Sequence, residues 1–406
     1  MAKLPTRPRA PRSRIAALAV LAATLGYGCS EKPAGNLVWK QDLIGIKTAL
    51  SAVVAFSPQE AIAVGQALPE FALQARPLSL RWTASGWTEI AMPWTRSTAL
   101  LASTLDRDGS VWAVGRIVSS EAEPFDPVPV AYRYTAGTWS LLPLDELGPQ
   151  AGVAFTGVAT SGSGPDLEAR AVGDSVGQVG RIFRWAGGHW SPMTTPDPSP
   201  GANWTLRSIS YSAASRTWYA VGAGPIGGTI LVDRGAGWEL AAGPATTIEW
   251  TSVAFDGRGI PYLAGNRLAG GNAQGDLYLR HLGQWAQVPI ARHTAGGFHL
   301  QALGFDAEGN GWTVGGREAG GPFFAGTSPK GWVETVVEAE VEAHPEQEQV
   351  AGGDLSGVAV YGASVAFTVG SALEVDPEGG QEFQPRIFRL KFRPAGEVDL
   401  PTAPPH

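Results

Sequence analysis

The feature that most limits the fold of this chain is a repeat of about 50 residues that runs along almost all of it. Its clearest marker is a Val-Gly or Ala-Gly pair that closes a short apolar run. The seven markers end at Gly65, Gly115, Gly173, Gly222, Gly265, Gly315 and Gly370. Each repeat also has a tryptophan that opens another short run, and these are Trp39, Trp87, Trp139, Trp190, Trp238, Trp285 and Trp332. Such a chain is expected to fold as copies of one supersecondary unit.

Each repeat holds four short runs with the composition of β-strands. The runs are about five residues long, rich in aromatic and β-branched residues, and bounded by turn residues. The run before each marker has a small residue at its second-last position, namely Ala55, Thr104, Ala159, Ser210, Ala254, Gly304 and Ala359. No segment after residue 28 has a convincing helical period. The sequence therefore predicts an all-β fold.

Four short strands per repeat are typical of a β-propeller blade, and seven markers predict a seven-bladed β-propeller of four-stranded blades. Small residues suit the crowded innermost strands, and the tryptophans suit the outermost strands, where bulk fills the space between blades. The seventh repeat lacks a tryptophan run, whereas Trp39 precedes the first repeat. We therefore expect the N-terminal strand to complete the last blade, which removes an open sheet edge.

The repeats resemble those of degenerate bacterial propellers of the Asp-box, kelch and photosystem-assembly-factor type, over residues 37–395. The segment Gly137-Thr138-Trp139 keeps only the tail of an Asp-box and lacks its aspartate. The resemblance implies the fold, and the arginine triad and tyrosine nucleophile of sialidases in that superfamily cannot be placed on this chain. The proline-rich residues 396–406 are expected to form a disordered tail.

Residues 1–28 have the pattern of an export signal peptide. Five basic residues and no acid precede the apolar run Ile15–Leu25, which at eleven residues is too short to span a bilayer. The only cysteine, Cys29, follows Leu25-Gly26-Tyr27-Gly28, which resembles a bacterial lipoprotein signal although Gly26 stands where leucine is usual. We expect lipidation of Cys29, a tether at 29–36, and an envelope location at the outer rather than the inner membrane. Plain cleavage nearby is the alternative.

Charge and cysteine usage exclude several classes of function. Without residues 1–28, which hold five of the 30 basic residues and none of the 37 acids, the net charge falls from −7 to −12. Such an acidic chain is a poor binder of nucleic acid. A single cysteine permits no internal disulfide. The six histidines lack the spacing of a zinc site. The segments 106–109, 256–259 and 306–311 are interpreted as Asp-Gly hairpin turns rather than calcium loops. No cofactor is therefore expected.

Two glycine-rich motifs match the sequence patterns of catalytic or cofactor-binding loops. Gly173–Gly177 matches the nucleophile elbow G-x-S-x-G, and Gly222–Gly227 matches the dinucleotide motif G-x-G-x-x-G. Both motifs need a strand-to-helix turn. Here each begins at a marker glycine and runs into another strand, so we interpret both as hairpin turns.

Five arginines recur at one position of the third strand: Arg81, Arg133, Arg184, Arg280 and Arg389. An anion-binding ring is one interpretation. Equivalent residues on third strands lie away from the axis, so they cannot converge on one ligand, and a repeated structural position is the favoured interpretation.

The connections between second and third strands are longest in blades 1, 2 and 7, which ring closure makes neighbours. These loops and the connection that enters blade 7 are acidic and, beyond Arg116, contain no Lys or Arg. Such a surface attracts a basic or cationic envelope partner or divalent cations. The candidate partner-binding residues are Glu121, Glu123, Asp126, Glu338, Glu340, Glu342, Glu374, Asp376, Glu378 and Glu382. Ordinary solvated loops are the alternative.

These observations favour an envelope-anchored, non-catalytic binding or assembly module, because no catalytic residue set emerges. The alternative is a carbohydrate-active hydrolase or lyase with acids from several blades in the axial funnel, where Asp174 and Arg116 would be the first suspects. A structural surface protein without a small ligand is a third interpretation. Paired carboxylates from different blades would favour the enzyme.

Overall fold

Antiparallel β-sheets make up nearly all of the ordered secondary structure in the computed structural model of the protein. The structure describes residues 35–42, 48–67, 75–94, 96–117, 127–144, 147, 152–175, 179–225, 227–244, 247–269, 272–335, 353–362, 364–375 and 381–394. Helical structure within these ranges is limited to a short 3-10 helix at Gly164–Asp166 and to the 3-10 conformation of Leu147. The predicted all-β fold is confirmed.

The described strands form five four-stranded sheets and one nine-stranded sheet. We number them as units in chain order from the first inner strand, and divide the nine-stranded sheet into units 5 and 6. Unit 1 contains β2 (Thr48–Ser57), β3 (Glu60–Ala67), β4 (Arg76–Thr83) and β5 (Gly86–Glu89). Unit 2 contains β6 (Thr98–Leu105), β7 (Val111–Ile117), β8 (Val128–Thr135) and β9 (Thr138–Leu141). Unit 3 contains β10 (Val153–Ser161), β11 (Glu168–Ser175), β12 (Gly180–Ala186) and β13 (His189–Met193). Unit 4 contains β14 (Ser208–Ser212), β15 (Thr217–Gly224), β16 (Gly227–Asp233) and β17 (Trp238–Leu240). Unit 5 contains β18 (Glu249–Phe255), β19 (Pro261–Ala269), β20 (Asn272–His281) and β21 (Gln284–Val288).

Unit 6 contains β23 (Phe298–Phe305), β24 (Gly311–Arg317), β25 (Pro322–Ser328) and β26 (Gly331–Glu334). Unit 7 contains β27 (Gly353–Val360), β28 (Ala366–Val375), β29 (Gln381–Pro394) and the N-terminal strand β1 (Gly35–Asp42), in the sheet order β1-β29-β28-β27. Units 5 and 6 share one nine-stranded sheet, because β20 pairs briefly with β23 and the two-residue strand β22 (Ile290–Ala291) pairs with β26, both in parallel.

The sequence markers lie on equivalent strands of the units. Every Val-Gly or Ala-Gly marker is on the second strand, every small residue named above is on the first, and every marker tryptophan is on the fourth. A Cβ on Gly304 would lie 3.2 Å from the carbonyl oxygen of Val358 on the neighbouring first strand. The first strands are therefore crowded, as the small residues predict.

The marker glycines are required by a repeated backbone contact. A Cβ on six of the seven would lie only 1.9–2.0 Å from a backbone carbonyl oxygen, and a Cβ on Gly265 would lie 2.6 Å from one. These oxygens belong to the paired first strand, except that Gly222 faces Thr205, just before the first strand of unit 4. In six units the register shifts at this point, as between Leu50 and Ala52, so the first strand bulges toward the second. Only glycine leaves room for this approach.

The apolar core lies between neighbouring units rather than within one sheet. There are seven buried clusters, and each joins residues of two successive units, including units 7 and 1. Trp112 of unit 2 packs with Phe183 and Trp190 of unit 3, for example. The first strands of successive units also contact one another, and β27 contacts β2. Each sheet therefore buries both faces.

Residues Leu37–Arg393 form one compact region, and the two chain ends fall outside it. The described ranges contain no helix that is both long and apolar enough to cross a membrane. Cys29 and the predicted signal and tail segments lie outside the described residues.

Candidate functional site

Charged side chains gather at the end of the units where the first strands begin and the second strands end. Arg116 and Asp174 directly follow the marker glycines of units 2 and 3 and pair with Ala99 and Ala154 near the starts of the first strands. Because successive first strands contact one another, these ends lie side by side.

The next four units add one charged residue each at this end. Arg207 directly precedes β14, and its backbone N–H donates to Val221 of the second strand at 2.8 Å. Glu249, His299 and Asp354 lie in the first two residues of β18, β23 and β27. We call the six residues the charged rim; they are Arg116, Asp174, Arg207, Glu249, His299 and Asp354.

Hydrogen bonds between units hold the strand ends of the rim in place. The Thr156 hydroxyl of unit 3 donates to the Leu206 carbonyl at 2.7 Å, and the Thr251 hydroxyl of unit 5 donates to the Leu300 carbonyl at 2.9 Å. The Asn266 amide both donates to the Leu300 carbonyl and accepts from its N–H, at 2.9 and 2.7 Å. The rim thus rests on a scaffold that is fixed across units.

The rim alternates in charge from unit 2 to unit 7 when His299 is protonated. Arg207 of unit 4 approaches Glu249 of unit 5 with 3.7 Å between Nη2 and Oε2, and about half of each side chain stays exposed. His299 of unit 6 lies 3.1 Å from Asp354 of unit 7, measured from Nε2 to Oδ1. Both ion pairs connect different units, so the rim is a product of the tertiary structure.

The His299–Asp354 pair depends on a glycine of the next strand. A Cβ on Gly316 would lie 2.0 Å from Oδ1 of Asp354 and 2.7 Å from Cε1 of His299. The equivalent position, one residue after the marker, is Arg116 in unit 2 and Asp174 in unit 3. Unit 6 lacks a side chain there and so accommodates the pair.

Asp174 is the rim carboxylate with a shifted pKa. Burial raises the pKa of Asp174 above its ordinary value, although its own backbone amide and the nearby Arg207 and Arg116 act in the opposite direction. Its position therefore combines a partly desolvated carboxyl group with two guanidinium groups from the units on either side.

The acidic residues predicted to bind a partner are mostly outside the described residues: Glu121, Glu123, Asp126, Glu338, Glu340, Glu342, Asp376 and Glu378. The backbones of Glu374 and Glu382 pair across β28 and β29, and nothing is described of their side chains. The strands from which these segments leave, β7, β28 and β27, have those ends at the rim.

The five recurring arginines of the third strands each contact a local partner. Arg81 pairs with Glu60 at 2.6 Å, Arg133 with Asp106 at 3.1 Å and Arg184 with Glu168 at 3.0 Å. Arg280 donates to the Tyr219 hydroxyl at 2.7 Å, and Arg389 pairs with Asp42. These separate local contacts support the interpretation of a repeated structural position.

The Asp-Gly segments form turns between first and second strands. Asp106 Oδ1 accepts from the backbone N–H of Ser110 at 2.8 Å, and Asp256 and Asp306 make the equivalent bond to the fourth residue after them at 2.9 and 2.7 Å. Across the described part of the chain, no three His, Cys, Asp or Glu residues come together as a metal-binding group.

Both glycine-rich motifs run from strand to strand. Gly224, which ends β15, pairs with Gly227, which begins β16. Asp174, inside the G-x-S-x-G motif, pairs with Gly180 of β12, while residues 176–178 lie outside the described ranges. Neither motif is followed by the helix that its chemistry requires, so both are hairpins.

Sequence reasoning singled out Arg116 and Asp174 but missed Arg207, Glu249, His299 and Asp354. Their position relative to the markers was a usable signal. His299 and Asp354 each directly precede a buried leucine of the first strand, and each pairs with the residue that follows the marker glycine on the second strand. That the six residues share one rim could not be read from spacing alone.

Comparisons with known proteins show the fold and no family. No family model matches the chain, and no curated protein matches it. Among solved structures, the WD40 β-propeller domain of Doa1 aligns at 11% identity and a TM-score of 0.50, over 87% of this chain and 97% of that one. A protein of unknown function from Dyadobacter fermentans aligns at 12% identity and a TM-score of 0.47, over 88% and 98%. Together with the strand order, the likeness to the Doa1 domain shows an all-β fold of the propeller type.

Proposed function

We propose that this chain is an envelope-anchored, non-catalytic binding or assembly module. Its rim end and the acidic segments that leave from that end would bind a basic or cationic partner. The observation that carries the proposal is that the strand ends bearing the acidic segments are the ends that bear the charged rim. Charge of one sign gathered on one face attracts an oppositely charged partner and speeds its association.

A closed, seven-bladed ring is part of the proposal. It is supported by the seven apolar clusters, each shared by two successive units, and by the position of β1 beside β29 in the sheet of unit 7. In such a ring the acidic segments of units 7 and 2 flank unit 1 on one face.

Anchoring through Cys29 rests on the sequence of the first 29 residues. A basic segment, a short apolar run and a lone cysteine at the expected cleavage point support export and lipidation. A tethered ring holds its binding face close to other envelope components and raises their effective concentration.

A carbohydrate-active enzyme is the second candidate, favoured by the raised pKa of Asp174, which suits a general acid. Paired-carboxylate chemistry also needs a second carboxylate within about 10 Å. Within the described rim, Asp174 has arginines as its charged neighbours, and Glu249 and Asp354 each face a cationic side chain or a histidine. The binding module is therefore the better supported function.

The test is crosslinking in cells of the full chain, capture in detergent, and identification of what copurifies. We expect a stoichiometric envelope protein that is released at high salt, because exposed charge pairs are screened. The double variant Asp376→Asn/Glu378→Gln should weaken its capture severalfold.

A matched control removes the same charges from the opposite end of the units. Asp166 and Glu308 are exposed and lie in connections between first and second strands. Asp166→Asn/Glu308→Gln should leave capture unchanged. Equal capture by both double variants would contradict the role of the acidic face, and turnover of a glycan without any protein partner would favour the enzyme.

A further inference from the structure

Two arginines of the charged rim, Arg116 and Arg207, make few contacts with other described side chains. The Arg116 side chain is exposed and makes no ion pair or hydrogen bond with another described side chain. Arg207 makes one ion pair in the described structure, with 3.7 Å between its Nη2 and Oε2 of Glu249, and its side chain stays 47% exposed. Guanidinium groups in this state can donate hydrogen bonds to a ligand.

Asp174 lies between these arginines in the order of the units. Arg116 and Asp174 hold the same position after the marker glycines of units 2 and 3. The backbone of Arg207 lies against unit 3, because its carbonyl oxygen is 3.1 Å from where a Cβ on Gly157 would be. The three side chains thus come from three successive units at one end.

An aromatic wall adjoins Asp174. Asp174 pairs with Gly180, and a Cβ on Gly180 would lie 2.3 Å from the ring of Trp204, which is 2% exposed. Trp204 belongs to the connection that leads directly to Arg207. Burial, which is the cause of the raised pKa of Asp174, fits a position opposite Gly180 and so near this ring.

This part of the rim is therefore cationic although the chain as a whole is acidic. The guanidinium groups of Arg116 and Arg207 lie near the carboxyl group of Asp174, whose charged form is disfavoured by burial. Glu249, which pairs with Arg207, adds one negative charge, so the positive charges outnumber it when Asp174 is neutral. An anion placed there would meet two charged donors, and the protonated Asp174 would add an O–H donor. Guanidinium groups bind planar or tetrahedral oxyanions through paired hydrogen bonds.

We infer that Arg116, Asp174 and Arg207 form a binding site for a small oxyanion, a carboxylate or a phosphate group. The inference uses no residue of the acidic segments, so it stands whether or not a cationic partner is found. The arginines bind the anion oxygens, and Asp174 limits binding to conditions in which its carboxyl group is neutral.

The test is calorimetric titration of the detergent-solubilised full chain with glucuronate and with inorganic phosphate, with glucose as the uncharged control. Arg116→Gln and Arg207→Gln should each weaken binding of the preferred anion about tenfold or more, the effect of losing a charged hydrogen bond. Arg107→Gln and Arg216→Gln are the matched controls, since these exposed arginines lie at the opposite end of units 2 and 4. They should bind as the wild type does.

The pH dependence gives an independent readout. Because the neutral form of Asp174 favours the anion, glucuronate binding should strengthen as the pH falls through the raised pKa of Asp174. Asp174→Asn should bind at least as tightly as the wild type at neutral pH and lose this dependence. Binding of glucuronate alone identifies a carboxylate ligand and binding of phosphate alone a phosphate ligand. Binding of neither, or equal weakening by the control variants, would overturn the inference.

Discussion

At the scale of single residues, the fold depends on the marker glycines. In each unit a side chain at the marker would meet a backbone carbonyl oxygen, and in six units a bulge brings the first strand against the second at this point. The same contact recurs in every unit, which explains why the marker survives when most other positions of the repeat vary.

Gly115→Ala should therefore destabilise the protein. The added methyl group would lie 2.0 Å from the Ala99 carbonyl oxygen, so one of the two strands must move, and such overpacking costs about 1–3 kcal/mol. Urea unfolding followed by tryptophan fluorescence measures this loss. Gly243→Ala is the control, because its Cβ would meet only the flexible end of Ile230 at 3.2 Å. Equal stability of the two variants would contradict the steric explanation.

A buried ion pair connects units 3 and 4. Arg170 of unit 3 donates to Asp233 of unit 4 at 2.7 Å and lies over the rings of Trp218 and Trp238, 4.4 and 5.4 Å from their centroids. Asp233 also accepts the backbone N–H of Gly235 at 2.7 Å. Burial alone would raise the pKa of Asp233, but the hydrogen bonds from Arg170 and the backbone outweigh it, and the pKa is lowered.

The lowered pKa of Asp233 predicts a loss of stability in acid. Its contribution is complete above the ordinary aspartate pKa and disappears as the pH falls through the lower, folded-state value. Asp233→Asn should reduce the free energy of unfolding at neutral pH by about 2 kcal/mol and flatten its acid dependence, because Arg170 loses one of its two carboxylate partners while Glu168 remains. Unfolding in urea from neutral to acidic pH checks both effects. The exposed variant Asp166→Asn should show neither, and an unaltered acid profile in Asp233→Asn would argue against the pair.

At the scale of elements, the N-terminal strand β1 is held by both packing and charge. Trp39 is 1% exposed, stacks on Phe324 at 4.7 Å and meets Trp312 edge-on at 5.0 Å. Asp42, at the end of the strand, pairs with Arg389 of the neighbouring β29. The Trp87 indole of unit 1 donates to the same carboxylate at 2.9 Å, so β1 connects unit 7 to unit 1.

Trp39→Ala should be among the most damaging single changes in the chain. It leaves a large cavity between units 6 and 7, and loss of a buried tryptophan costs about 3–5 kcal/mol. Thermal unfolding and protease resistance of the full chain are the measurements. Trp94→Ala is the matched control, since Trp94 is 42% exposed in a connection. Wild-type stability in Trp39→Ala would show that β1 is dispensable for closing the sheet.

The sequence predicted the identity of the strands better than their length. The repeat pattern predicts strands of about five residues, whereas the third strands of units 5 and 7, Asn272–His281 and Gln381–Pro394, are 10 and 14 residues long. In unit 5 the added residues, such as Gly275 opposite Asn266, are polar or small. They are strand because a neighbouring strand supplies hydrogen bonds, which local composition does not encode.

At the scale of the whole molecule, the predicted anchor would place the chain at the membrane. Cys29→Ser should release the protein from the membrane fraction into the soluble envelope fraction, because a cysteine is needed for lipidation. Labelling with a radioactive fatty acid and fractionation of cells are the measurements. The wild-type chain should carry the label, and Ser30→Ala should behave like the wild type. Soluble, unlabelled wild-type protein would favour plain cleavage of the signal.

The sequence by itself determined the repeat, the strand type and the place of each marker within a unit. These features follow from local patterns, since a glycine opposite a bulge or a tryptophan on a fourth strand recurs at fixed spacing. Only the tertiary structure decided which charged residues meet. Arg116, Asp174 and Arg207 are separated by tens of residues, and they become neighbours because successive first strands pack side by side. Spacing along a chain carries no information on such contacts until the packing of the units is known.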